Sequence, residues 1–266
     1  MFSADHFIWL GISAVIFIVL YFLSTKYKWS FKTATFVLLG IYVSTELFKI
    51  FTHMFPATRW LGEGATVSGF DGNLASYLLP KSLPFQLCSF MIFFVVYMAF
   101  SKNQKGIEIA KSFAIQVFLI AGSLALLLAT CLDKSNTAHV FDSFRPSVDK
   151  QMGAYYFFYY HAGMVWYGVY LIKTKQVQMG FKIWLRNLGL LLGAFAIGMW
   201  VNSTLLIYEV NFMFLVAPPA KGLPLLNLNH GWHIYILNYA LVTIVLTFLF
   251  QLPAIIIELR KKKVSV

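Results

Sequence analysis

WHIYILNYALVTIVLTFLFQLPAIII, residues 232–257, runs without an Asp, Glu, Lys or Arg, and the tail that follows carries Glu258, Arg260, Lys261, Lys262 and Lys263. As a helix rising about 1.5 Å per residue, the stretch exceeds the roughly 30 Å hydrocarbon core of a bilayer. An uncharged run of this length with a basic stop at one end reads as a membrane span whose tail lies in the cytoplasm. The whole chain shares this character. Of its 266 residues 59% are apolar and 12% charged, with a mean hydropathy of +0.73, against roughly 25% charged in soluble domains. That composition excludes a water-soluble fold, and the apolar runs are too long for the alternating strands of about 10 residues that a membrane β-barrel needs.

Working outward from the last span, the hydropathy predicts about seven transmembrane helices: Phe7–Leu23, Thr33–Met54, Leu83–Phe100, Ile107–Thr130, Gly153–Ile172, Ile183–Tyr208 and Trp232–Ile257. The expected fold is all-α, a polytopic helical bundle forming a single integral membrane domain over residues 1–266. The formal charge of +11 resembles a nucleic-acid footprint, but the basic residues sit between apolar runs, so no nucleic-acid partner is expected. Lys26, Lys28 and Lys32, then Lys102, Lys105 and Lys111, then Lys173, Lys175, Lys182 and Arg186, share one side with the tail. The alternate connections mix Arg59, Lys81, Lys134, Arg145, Lys150 and Lys221 with Glu63, Asp71, Asp133, Asp142, Asp149 and Glu209. The richer set marks the cytoplasm, which places the N-terminus outside and the C-terminus inside a multi-pass protein of the cell membrane.

The connections 55–82, 131–152 and 209–231 lie on the outer side and are long, which turns attention outward. Polar residues inside the spans also gather there. Glu46 and Lys49, Gln86 and Cys88, His161, Asn202, and His233 with Asn238 all fall within about 12 Å of the outer ends of their helices, leaving the inner half bland. Two readings follow. The residues hold helices together by interhelical hydrogen bonds, or they line an outward-facing cavity. Glu46 and Lys49, three apart, form a structural ion pair, or a proton carrier and a phosphate-binding lysine. Gly189 and Gly193 give a small-xxx-small spacing for close helix approach, and the aromatic run 155–160 serves as belt and packing surface.

Cys88 follows Ser82-Leu83-Pro84-Phe85-Gln86-Leu87, with Pro84 expected in the first helical turn. A thiol near a helix N-terminus is favoured as thiolate, and His161 in Tyr159-Tyr160-His161-Ala162-Gly163 is the candidate base at matching depth. Otherwise Cys88 is a small buried hydrophobe. Cys131 sits at a different depth, so no disulfide with Cys88 is expected. His230 and His233 lack a carboxylate at ligand spacing, so no metal and no cofactor are expected. Gln86, Asn202, Asn211, Asn238 and His233 are the candidates for substrate binding or for donating to an oxyanion.

These residues carry a resemblance. Leu83-Pro84-Phe85-Gln86-Leu87-Cys88, the tract around His161, and Asn211-Phe212-Met213-Phe214-Leu215 followed by Pro218 and Leu225-Leu226-Asn227 are similar to the YwaF-type integral membrane proteins of bacteria, relatives of animal transmembrane protein 164. The chain departs from that pattern with Tyr160 in place of a second histidine and with Asn227-Leu228-Asn229-His230 in place of a Gly-Pro-Trp type turn. The resemblance implies a phospholipid acyltransferase or acyl hydrolase, with Cys88 as acyl-accepting nucleophile, His161 as general base, and membrane lipids, among them an acyl-bearing phospholipid substrate, as partners. The alternative from the residues alone is a non-enzymatic transporter or lipid-binding protein built on Glu46 and Lys49.

Overall fold

The computed structural model describes residues 4–54, 86–128, 149–205, 210–218, 223 and 225–264, the side chains of 4, 5, 48–54, 149–155 and 262–264 excepted. Helices α1 (Ala4–Lys26), α2 (Phe31–Met54), α3 (Leu87–Phe100), α4 (Gln104–Leu128), α5 (Asp149–Lys173), α6 (Phe181–Thr204) and α7 (Trp232–Val264) follow in order, and there is no strand among the described residues. Four stretches are long and apolar enough to cross a membrane: His6–Lys26, Gln104–Leu128, Phe181–Thr204 and Trp232–Lys261. The glycines of the 55–82 connection, together with Cys131 and His139, lie outside the described residues.

Local chemistry sets the helix ends. Ser30 caps α2, its hydroxyl accepting the Thr33 N–H at 3.1 Å, and Asn103 caps α4 through the Gly106 N–H at 3.1 Å, each satisfying an amide the helix leaves open. α1 and α5 end in matching turns. Lys28 and Lys175 adopt φ of 46° and 53°, and the next residue's N–H returns to a carbonyl five back, Trp29 to Ser24 at 3.1 Å and Gln176 to Leu171 at 3.0 Å, the left-handed closure common at helix C-termini.

Two span ends need correction, and one helix departs from regular geometry. α3 begins at Leu87 rather than Leu83, with Gln86 as an extended N-cap (φ −66°, ψ 143°); Pro84 lies outside the described residues. Both ends of the Gln86 amide are held by the backbone of residues 211 and 213, which keeps Gln86 outside the helix. α6 stops at Thr204 rather than Tyr208, because Asn202 in its last turn binds the returning chain at Phe212. In α4 the ladder passes through a π segment, Val117–Ala121, between Gln104–Gln116 and Gly122–Leu128.

The residues gather in two compact units interleaved along the chain, 1–83 with 122–170 and 84–121 with 171–266. In the first, Trp9 stacks on Phe158 with ring centroids 5.3 Å apart and planes 7° apart, and Tyr42 meets the edge of Tyr160 at 4.5 Å. The aromatic run of α5 is thus core on one face, with Phe158 and Tyr160 buried. Tyr167 donates to Thr35 Oγ1 at 2.6 Å, since the threonine's own proton goes to the Phe31 carbonyl at 2.7 Å. Gly163 permits contact between α2 and α5: a Cβ there would lie 2.9 Å from Ile41 Cδ1.

In the second unit, α6 and α7 are joined by Trp184 Nε1 donating to Thr247 at 3.3 Å and by Gln251 Oε1 accepting the Gly180 N–H at 3.0 Å. Gly189 and Gly193 are exposed, with nothing within 4 Å of a built Cβ, so the expected close approach is not made there among the described residues. Gly198 makes it instead, its missing Cβ leaving room for Leu215 Cδ1 at 3.0 Å and Met213 Sδ at 3.2 Å. The expectation of a bland inner half is also corrected, because Ser112, Gln116, Asn187 and Gln251 are all buried.

Candidate functional site

Cys88 is the second residue of α3 and is half-buried. The Gln86 carbonyl accepts the Phe90 N–H at 2.7 Å, so the sulfur sits in the N-terminal turn of the helix. The sulfur lies within reach of its own N–H. Around it Leu87 and Phe90 join Ala194, Phe195 and Met199 of α6, Met213 and Leu215, and Ile236 and Tyr239 of α7 in one apolar cluster. The Tyr239 hydroxyl is within electrostatic range of the sulfur.

The segment 211–217, tied to the start of α3 by Gln86, has its backbone held almost atom by atom. Asn202, buried, donates to the Phe212 carbonyl at 3.0 Å and accepts the Phe212 N–H at 2.8 Å. Gln86 donates to the Asn211 carbonyl at 2.9 Å and accepts the Met213 N–H at 2.8 Å. Asn211 closes the turn on itself, accepting the N–H groups of Val216 and Ala217 at 3.0 and 3.1 Å and donating to the Ala217 carbonyl at 3.0 Å. From α7, Trp232 donates to the Leu215 carbonyl at 2.9 Å and Tyr235 to that of Phe214. The clamps offset strain, because Met213 and Phe214 both take positive φ, 54° and 55°. Such a conformation costs about 1–3 kcal/mol for each residue with a side chain.

The structure therefore gathers Gln86, Asn202 and Asn211 on one loop, with the amides engaged in holding it, and Cys88 follows Gln86 by two residues. An amide NH₂ has a second proton, so each keeps donor capacity beyond the bond named. Asn238 and His233 stand apart. Asn238 donates to the Leu225 carbonyl at 3.0 Å, and His233 is exposed against the edge of Trp232. Trp232, Tyr235 and Tyr239, which sequence reasoning passed over, face the site. Their spacing of three and four was the available signal for a shared helical face.

His161 belongs to the first unit. Its Nδ1 is 2.7 Å from the Phe157 carbonyl, and the ring, 6% exposed, lies against Phe157 and Tyr160 with centroids 4.3 and 4.9 Å apart. A carbonyl only accepts, so Nδ1 carries the proton, and in the neutral ring the lone pair falls on Nε2, the form a general base requires. Also in this unit, His6, likewise overlooked, is buried with Nε2 2.9 Å from the Leu126 carbonyl. Glu46 is half-buried on α2, and the Lys49 side chain lies outside those described.

The profile of the TMEM164 family matches residues 1–251. The chain belongs to the TMEM164 family. It is thereby a membrane protein of that family, in agreement with its apolar helices. No curated protein and no solved structure matches the chain.

Proposed function

We propose that this TMEM164-family protein is a membrane-embedded acyltransferase that moves a fatty acyl chain between lipids through Cys88, or an acyl hydrolase where water is the acceptor. The carrying observation is the position of Cys88: a sulfur on the first turn of an apolar helix whose Leu87 and Phe90 pack in one apolar cluster with Met213 and Leu215 of the clamped loop. The partial positive charge at the helix N-terminus works toward the thiolate, against the apolar surroundings that suit an acyl chain. The thiolate attacks the ester carbonyl of a phospholipid. A C–S bond forms, the C–O bond breaks, and the lysolipid oxygen takes the proton that His161 received from the thiol. The acceptor hydroxyl then gives its proton to His161 and attacks the thioester, restoring sulfur and forming the new ester.

Incubating the purified protein with a mass-tagged phospholipid and digesting it should yield a Cys88 peptide carrying the acyl mass and releasing it to neutral hydroxylamine. A protein that exchanges acyl chains with no such adduct on Cys88, even under rapid quench, would refute the thioester route.

The same reading takes the chain to be a multi-pass protein of the cell membrane with about seven spans and an outer N-terminus, on the basic asymmetry of its connections. Cysteines placed at Lys105 and Gln176 in a Cys-less background should resist an impermeant maleimide in intact cells and react after permeabilisation. Labelling of both in intact cells would reverse the orientation.

A further inference from the structure

The second unit holds a buried polar cluster that acyl transfer does not use, at the ends of α4 and α6 nearest the basic residues Lys102, Lys105 and Lys182. Ser112 of α4 is its hub. The hydroxyl donates to the Ile109 carbonyl at 2.9 Å and accepts from the Arg186 guanidinium of α6, and the Ser112 carbonyl accepts from Asn187 Nδ2 at 2.6 Å. Gln116 lies one turn further along the same face of α4. Ser112, Gln116 and Asn187 are 0%, 4% and 1% exposed.

Three atoms are left over. Arg186 Nε, Gln116 Nε2 and Asn187 Oδ1 are buried and make no hydrogen bond among the described residues. Two are donors, one of them on a full positive charge whose bonded neighbour is a neutral hydroxyl. The third is an acceptor. A charged donor unmatched in apolar surroundings is among the costliest arrangements a fold can keep, and intramembrane cations are characteristically held by a counter-charge. Lys111, the residue before the hub, is also buried, with Glu108 as the acidic group within its electrostatic range. The π segment Val117–Ala121 starts directly after Gln116, a backbone feature frequent at functional positions.

The geometry points to a binding site for a phosphate-bearing ligand with a hydroxyl, of the phosphoglycerol type, in which Arg186 Nε–H and the Gln116 amide donate to anionic oxygens and Asn187 Oδ1 accepts the hydroxyl. An arginine and an amide donor suit phosphate, and the extra acceptor rejects an anion lacking a hydrogen to give. The ligand chemistry is shared by a phosphatidylglycerol head group and by soluble glycerol phosphate. This inference stands independently of the thioester route.

The test uses the full chain in neutral detergent. Phosphatidylglycerol, phosphatidylcholine of the same acyl chains, and glycerol 3-phosphate are added in turn, with retention read by native mass spectrometry and stability by thermal unfolding. Phosphatidylglycerol should be retained and raise the midpoint more than phosphatidylcholine. A matching shift with glycerol 3-phosphate makes the soluble anion the sufficient ligand, and no shift with it assigns the site to the lipid. Equal, weak responses to all three would mean that water fills the cluster and would overturn the proposal. Arg186→Gln should weaken binding by about tenfold, ~1.4 kcal/mol. Asn187→Asp supplies the missing counter-charge internally, so it should raise the midpoint of the ligand-free protein and abolish the response to the anion. A folded Asn187→Asp protein that still binds phosphatidylglycerol like the parent would also overturn the assignment.

Discussion

Asn202→Leu should lower the thermal midpoint of the detergent-solubilised protein by about 5 to 10 °C, the equivalent of roughly 2–4 kcal/mol for a chain of this size. The leucine has nearly the same volume and fits an apolar helix, so the effect isolates the amide. That amide makes a reciprocal pair with the main chain of Phe212, accepting its N–H at 2.8 Å and donating to its carbonyl at 3.0 Å, where Asn202 is 3% exposed. Water cannot easily replace those bonds, so the variant loses most of what they contribute. The loss falls on a segment already under tension, because Met213 and Phe214 sit in the left-handed region. Without the clamp, the segment gains by relaxing toward ordinary backbone angles. Gln86→Leu removes a similar reciprocal pair from a half-buried residue, so its loss should be smaller. Thermal unfolding monitored by tryptophan emission ranks the two. If Asn202→Leu melts within a degree of the parent, the amide is not what holds the loop.

The Asn202 clamp also marks the limit of what the linear chain reveals. Hydropathy located each helix, because an apolar run of 20 or so residues has one stable form in lipid. The ends of α3 and α6 escaped it, since they are decided by Gln86 and Asn202 reaching a segment more than a hundred and about ten residues away, respectively. A polar side chain within a span announces that it has a partner without naming it. Gln86, Asn202 and Asn211 were thus found as a group, but their bonding to the main chain of 211–217 was invisible until the chain was folded. The opposite error occurred at Ser112, Gln116 and Asn187. They sit in runs apolar enough to satisfy any hydropathy window, and the weight given to the outer ends of the helices hid them. Trp232, Tyr235 and Tyr239 were passed over because composition counts them as apolar, although each ends in a donor. Gly189 and Gly193 show that a spacing can be present without its contact. What distinguishes Gly198 is the pair of side chains, Met213 and Leu215, that the loop carries to it.

Cys88→Ala should reduce lipid acyl exchange by about a thousandfold or more, and His161→Gln by about 10²–10⁴-fold, the range for loss of a positioned general base. The two residues have different parts in the proposed reaction, and the variants should differ accordingly. Without sulfur there is no thioester, so the Cys88→Ala protein should show no acyl adduct at any time of sampling. Without the imidazole a thiolate can still form as pH rises, so His161→Gln should acquire the adduct slowly and faster in alkaline buffer. The histidine is suited to such a role by its own helix. The Phe157 carbonyl one turn earlier receives the Nδ1 proton at 2.7 Å, and because the acceptor belongs to the main chain, this tautomer is fixed whatever side chain stands at 157. Gln at 161 can still donate to that carbonyl, so the fold should survive and the lost activity should reflect the lone pair on Nε2. When both residues are replaced the defect should be no deeper than with Cys88→Ala alone, because groups acting on one step are not additive. An unchanged rate of adduct formation in a folded His161→Gln protein would remove the histidine from the mechanism and leave the thiolate to the N-terminal end of α3.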